Sequence, residues 1–425
     1  MSRTRTLLLA IASILIAAAV LEGIAHLLLA IVPDPSARRA TIAFEDVWAH
    51  AEDPLHAPDR DLFWKQVPGH VAGNVRINAH GLRGPDFAAA KPAGVRRIVL
   101  LGDSVTFGYG VTEEESFAGR LRRQLGPGVE IINAGITGYS SLQGLRLYET
   151  VVRAYQPDVL LVLFGYNDHH SSVWSDRDKY RRRHAEAAAR VAAHAATFRL
   201  LARLRARISS GDVRSAPVPR VDVNAFEANL VALDSLARAD GCRALFLTVP
   251  IRFDVPLVEN FVQVRDPETG PVWVRQIDLA CQQMDEPACD ALTRFFFEGA
   301  DLREFTNMTG GCARAQELSQ LAPELPIFHY LMAACHAARG DSSAAAGERA
   351  AAQRLDHERA AMMAYNTRLR DLARAHRLTV IDAATAIESD ASQPLFLDVV
   401  HPNATGHARL TTLLESGLRQ HGLVP

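Results

Sequence analysis

The chain reads as an α/β protein built on a five-stranded parallel sheet, and three observations point to that class. Five apolar runs recur along it: Arg96–Leu101, Val129–Asn133, Asp158–Phe164, Arg243–Val249 and Leu378–Asp382. Helix-patterned sequence separates most of them, the signature of βαβ units whose right-handed crossovers bring the carboxyl ends of all strands to one edge. The first run is also continuous rather than alternating, with Ile98, Val99, Leu100 and Leu101 in succession, as in a strand buried on both faces.

With 425 residues, 48% hydrophobic and 22% charged, the chain has room for one large domain with additions or for two domains. The formal net charge is −2 and basic residues are scattered apart from Arg181–Arg183, so nucleic acid is excluded as an expected partner.

The first element is an entry segment, residues 1–33. Leu7 to Val32 is apolar except for Glu22 and His26 and stops at Pro33. At ~1.5 Å rise per residue it is long enough to cross a ~30 Å hydrocarbon core. The expectation is a transmembrane signal anchor after a short basic head, with a cleavable signal peptide as the rival, since Arg3, Arg5 and Leu7–Leu21 would serve either. Apolar residues resume at Leu27 instead of giving way to a cleavage site, which favours the anchor. The rest of the chain is then expected outside the cytoplasm, as a single-pass membrane protein. Glu22 and His26 lie one turn apart and can pair or meet a partner helix. Four of the five cysteines, Cys281, Cys289, Cys312 and Cys335, fall in one segment, an even set suited to an exported insertion. Spacing does not dictate their pairing; 281–289 with 312–335 is the most local choice, and four free thiols remain the alternative.

Residues 34–95 hold many turn formers and little periodicity, and read as an extended lead-in laid over the domain that follows. The first apolar run then enters GDSVTFG, where Ser104 opens a helix at the carboxyl edge of the sheet. Backbone N–H groups and the positive end of the helix dipole lie beside its hydroxyl. The G-x-S-x-G elbow is not matched, because Thr106 replaces its second glycine. Gly135 follows the second run in NAGITGYSS, and Gly165, Asn167 and Asp168 follow the third in FGYNDHH. Near the C-terminus, FLDVVHPNATGH places Asp398 three residues before His401. His401 can take the Ser104 proton while Asp398 sets the imidazole tautomer, and the N–H of Gly135 and the amide of Asn167 can meet an oxyanion.

These four blocks, GDSVTFG at 102–108, the glycine at 135, G-x-N-D at 165–168 and D-x-x-H at 398–401, resemble the SGNH or GDSL hydrolase superfamily. The resemblance covers roughly Arg96–Ser172, Phe226–Pro250 and Tyr365–Leu423, and the lead-in RINAHGLRG looks like that of membrane-anchored bacterial members. It implies a flavodoxin-like three-layer α/β/α domain with Ser104 as nucleophile, Asp398 and His401 completing a triad, and Ser104, Gly135 and Asn167 as oxyanion donors. Asp103 and Asp168 would support them. No cofactor or metal is implied.

Two insertions interrupt the hydrolase-like parts, 96–251 and 357–425. In the first, 169–223, Arg181 to Ile208 reads as one long helix, equally a lid or a packed helix; Phe198, Leu200, Leu201, Leu204 and Ile208 form its apolar stripe. His169 and His170 are expected as loop or substrate-contacting side chains rather than metal ligands. The second insertion, 252–356, ends in what looks like one tetratricopeptide-type helical hairpin turning at Gly340 and Asp341, which needs neighbours to bury its face and can bind a protein partner. Earlier in it, Trp273, Phe295, Phe296 and Phe297 are core residues or line an acyl or sugar site. The resulting expectation is a serine esterase releasing an O-acetyl or short acyl group from an envelope or extracellular carbohydrate or lipid. An O-acyltransferase with the same triad and a membrane-tethered glycan- or protein-binding module are the alternatives.

Overall fold

The computed structural model describes residues 55–172, 174–192, 218–252, 303–321, 325–388 and 395–424, with shorter stretches inside 13–28, 261–275 and 281–290 and the single residues Thr197, Leu200 and Pro323. The expected Arg181–Ile208 helix is seen as a helix over Asp176–Ala192. Most of its later part, and the aromatic cluster Phe295–Phe297, lie outside the described residues. Two compact units are present, Trp48–Asp176 with Pro217–Pro425, and Met1–Val47 with Arg177–Ala216.

In the smaller unit, His26 Nε2 stands 3.9 Å from Glu22 Oε1, one helical turn away. Glu22 Oε2 also accepts from the Thr197 backbone N–H at 3.1 Å. Among the described residues no helix is long and apolar enough to cross a membrane. Part of the Leu7–Val32 stretch itself lies outside those residues.

In the larger unit the five apolar runs form the expected strands: β1 Arg96–Gly102, β2 Val129–Gly135, β3 Val159–Leu163, β4 Arg243–Leu247 and β5 Val380–Ile381. All neighbours pair in parallel, in the order β2-β1-β3-β4-β5. This is the doubly wound flavodoxin-like order, with its switch point between β1 and β3. Ile98, Val99, Leu100 and Leu101 are all fully buried, so a continuous apolar run was required.

The helices that matter here are α1 Ser104–Phe107, α2 Phe117–Leu125, α3 Ser141–Thr150, α4 Tyr166–His169, α5 Val223–Ala239, α6 His357–Arg374, α7 Ala383–Glu388 and α8 Ala404–Gln420. They flank the sheet in two groups, α2 with α7 and α8, and α3 with α5 and α6. Ile98 and Leu100 share a core with Ala118, Leu121, Leu410 and Leu414, while the pleat turns Val99 and Leu101 to the opposite face.

Strand register levels the carboxyl ends. Gly102 at the end of β1 pairs with Gly135 on one side and Leu163 on the other. The three turns that follow therefore leave the sheet at one height and meet above its edge. The lead-in forms two small antiparallel hairpins, His56–Asp59 with Phe63–Gln66 and Val71–Ala72 with Val75–Arg76. It is no loose covering, since Trp64, Gln66 and Arg83 are buried in the domain.

In the second insertion, helices Pro326–Ala338 and Ser342–Leu355 pack together across a turn at Gly340 and Asp341. Phe305, Leu318, Ile327, Phe328 and Leu331 supply a core of the insertion's own. Cys281 is bonded to Cys289 and Cys312 to Cys335, the local pairing, and Cys242 is a buried free thiol.

Candidate active site

Ser104 is the first residue of α1, and Asp103 is that helix's N-cap, accepting from Val105 N–H at 2.9 Å. His401 Nε2 lies 2.8 Å from Ser104 Oγ, and its Nδ1 lies 2.5 Å from Asp398 Oδ2. Asp398 holds the histidine by backbone as well, for its Oδ1 accepts from the N–H groups of Val400 at 2.9 Å and His401 at 2.8 Å. A bond from Leu397 N–H to His401 O at 2.8 Å closes the turn. Burial alone would raise the Asp398 carboxyl, but the charge and hydrogen bonds of His401 and the Val400 N–H hold it below the usual carboxylate range. Its anionic form is thus kept against the imidazole. The Tyr109 ring, 43% exposed, leans over His401 at 4.7 Å between centroids.

Two of the three expected oxyanion donors, Gly135 and Asn167, are engaged within the protein. Gly135 N–H donates to Asn133 Oδ1 at 2.9 Å and so is not open to a substrate. A glycine is needed there because a Cβ would stand 2.2 Å from Phe107 N, where α1 crosses β2. The next glycine of the block, Gly138, sits at φ +77° in the turn between β2 and α3. Its N–H has no acceptor among the described residues. Asn167 Nδ2 donates to Asp103 Oδ2 and to Tyr139 O, each at 3.1 Å, which ties the third turn to the other two.

Asp103 and Asp168, expected as supporting residues, are both buried and hydrogen-bonded in these turns. Asp168 accepts from Ser141 N–H at 3.1 Å and from the Ser141 hydroxyl, anchoring the start of α3. Burial pushes the Asp103 carboxyl up to about 6 against the opposing Val105 N–H and His401. Burial also pushes Asp168 up to about 7, with Asp176 adding and Ser141 and Arg220 opposing.

His169 and His170, expected as loop or substrate-contacting groups, are buried and packed on Tyr166 at ring distances of 5.2 and 5.0 Å. Desolvation and the neighbouring His170 hold His169 well below its ordinary value, so it is neutral. Both serve the packing of α4.

Sequence reasoning missed Gly138, Trp64, Arg83 and Arg220. A second glycine in NAGITG was a visible signal for the first. Buried cations and a tryptophan far away in sequence leave none.

Sheet order and site together define a serine-hydrolase arrangement of α/β type, and comparison with known proteins shows what part of it is similar to. Residues 100–259 match the GDSL-like Lipase/Acylhydrolase family. Over that stretch the chain is similar to this family.

A stretch of 78 residues is 30% identical to "Thioesterase 1/protease 1/lysophospholipase L1" of Escherichia coli (strain K12), covering 18% of this chain and 38% of that protein. Similar solved structures include TesA, with TM-score 0.36 and 12% identity over 76% of this chain and 99% of that one. The lipase/acylhydrolase from Enterococcus faecalis gives 0.35 and 14% over 77% and 97%. An acetyl-xylooligosaccharide esterase variant, described as from Geobacillus Stearmophilus, gives 0.35 and 14% over 76% and 94%.

Proposed function

We propose that the protein is a serine esterase that cleaves an O-acetyl or short acyl ester through an acyl-serine intermediate. The observation that carries this reading is the Ser104–His401–Asp398 chain, with both bonds at hydrogen-bonding distance. Ser104 Oγ attacks the acyl carbon while its proton passes to His401 Nε2; the C–O bond then breaks as His401 returns that proton to the leaving alcohol. Water repeats the sequence on the acyl-serine and restores Ser104. Charge on the tetrahedral oxygen meets the N–H groups of Ser104 and Gly138, and the Asn167 amide joins by exchanging one of its present acceptors for the oxyanion. Tyr109 offers an aromatic wall beside the leaving group.

The working place of the enzyme in this reading is the outer side of a membrane, tethered through residues 7–32, with an envelope or extracellular carbohydrate or lipid as substrate. The paired cysteines support it, because disulfides persist in oxidising compartments. The name of the Escherichia coli relative keeps thioesters and lysophospholipids among the substrates to be tried.

The test is hydrolysis of p-nitrophenyl esters of increasing chain length, from acetate upward, by the full-length protein, with and without an acceptor sugar. Ser104→Ala is expected to abolish turnover and labelling by a fluorophosphonate. Undiminished labelling would move the nucleophile elsewhere, and acyl transfer to the sugar in preference to water would make the protein an acyltransferase.

A further inference from the structure

The turn that carries Gly138 is gripped from outside the blocks that hold the triad. Trp64, in the lead-in strand Phe63–Gln66 and only 1% exposed, donates its indole Nε1–H to Thr137 O at 3.1 Å. Arg220, buried where the first insertion rejoins the domain, donates Nη1–H to Gly138 O at 2.8 Å. The guanidinium is itself fixed by Asp176 Oδ2 at 3.1 Å and Gln143 Oε1 at 2.7 Å, and stands 5.8 Å from the Trp64 ring. Further bonds tie the hairpin down: Tyr139 OH donates to Trp64 O at 2.5 Å, and Thr137 Oγ1 lies 2.8 Å from His56 Nε2.

These contacts take the two carbonyls on either side of the Gly138 nitrogen. A trans peptide keeps its C=O and N–H antiparallel in one plane, and no cis peptide occurs among the described residues. Holding Thr137 O therefore aims the Gly138 N–H in the opposite direction, and holding Gly138 O stops the following peptide from rotating. A glycine cannot supply that rigidity, having the greatest backbone freedom of any residue. An oxyanion donor is effective only when it is in place before the charge develops.

We propose that Trp64 and Arg220 are positioning residues that hold the Gly138 N–H toward the developing oxyanion, making the lead-in hairpin part of the catalytic unit. The inference rests on the esterase reading above and on Gly138 as donor. Neither side chain touches substrate.

The test measures kcat, KM and the midpoint of the pH–rate profile for p-nitrophenyl acetate with full-length enzyme carrying Trp64→Phe, Arg220→Lys, or 3-benzothienylalanine at position 64. The last keeps the shape of tryptophan and removes only the N–H, so it decides the matter even if Trp64→Phe fails to fold. The expected result is a fall in kcat of roughly tenfold or more in each variant, with KM within about threefold and the pH midpoint unmoved. A kcat within about threefold of wild type in the isostere overturns the proposal. So does a loss matched by KM or by a shifted midpoint, which would mean that the triad itself had been disturbed. The esterase reading fails separately, if Ser104→Ala keeps its turnover.

Discussion

Asp103 and Asp168 carry carboxyls where water does not reach, and each is committed to holding a helix start. Their pKa values, pushed by burial to about 6 and about 7, exceed the ordinary 3.8. At these two carboxyls the native protein holds protons that the unfolded chain has lost between roughly pH 4 and 7, so their own contribution to stability falls as pH rises through that window, while the depressed values of buried His169 and His407 act in the opposite direction. Asp398, held low, acts in the same direction as these histidines: its contribution is present above its unfolded value and lost on acidification through the folded one. Asp168→Asn keeps an acceptor for Ser141 but has no proton to lose. Relative to wild type it is expected to gain unfolding free energy as pH rises from about 4 to 7, read as a more positive slope in urea melts at stepped pH. An unchanged slope would show that Asp168 is ionised throughout.

At the scale of the element, α1 is the critical piece because Ser104–Phe107 is too short to stand alone. Asp103 caps its start, and Arg83 from the lead-in closes its end, donating to Phe107 O at 2.9 Å, Gly108 O at 2.5 Å and Val111 O at 2.7 Å. A buried cation at the C-terminal end of a helix also meets the negative pole of its dipole. Arg83→Met strands these carbonyls and is expected to lower stability by about 2–4 kcal/mol, seen as a lower denaturant midpoint at constant m. Arg83→Lys is expected to recover only part of it, since one ammonium cannot span the same fork. Full stability in Arg83→Met would mean that water replaces the guanidinium. The lead-in motif RINAHGLRG stood out in the sequence, yet nothing local assigned its arginine to a helix end 24 residues away.

At the scale of the whole molecule, the sheet brings the triad together while the second insertion keeps a core of its own, stapled by two disulfides. Cys312–Cys335 closes the longer loop, 23 residues in sequence, and links helix Gly311–Leu321 to helix Pro326–Ala338. Its removal by Cys312→Ser with Cys335→Ser is expected to cost about 3 kcal/mol of insertion stability. Limited proteolysis of oxidised and mutant protein checks this, and equal cleavage rates would refute it.

The sequence by itself determined the five strands, their parallel pairing class and the four blocks at their ends. Continuous apolar runs and short spacings such as Asp398 to His401 are local signals whose consequences are also local. Only the tertiary structure decided which glycine is open. Gly135 is consumed by a close approach to α1 and by Asn133, whereas Gly138 keeps its N–H. Tertiary structure likewise recruited Trp64 and Arg220, which reach the turn across 73 and 82 residues of chain. The physical reason is one of range: a side chain's hydrogen-bond partner is chosen by what the folded sheet places beside it, and no periodicity in the chain encodes a contact between a lead-in hairpin and a turn beyond the second strand.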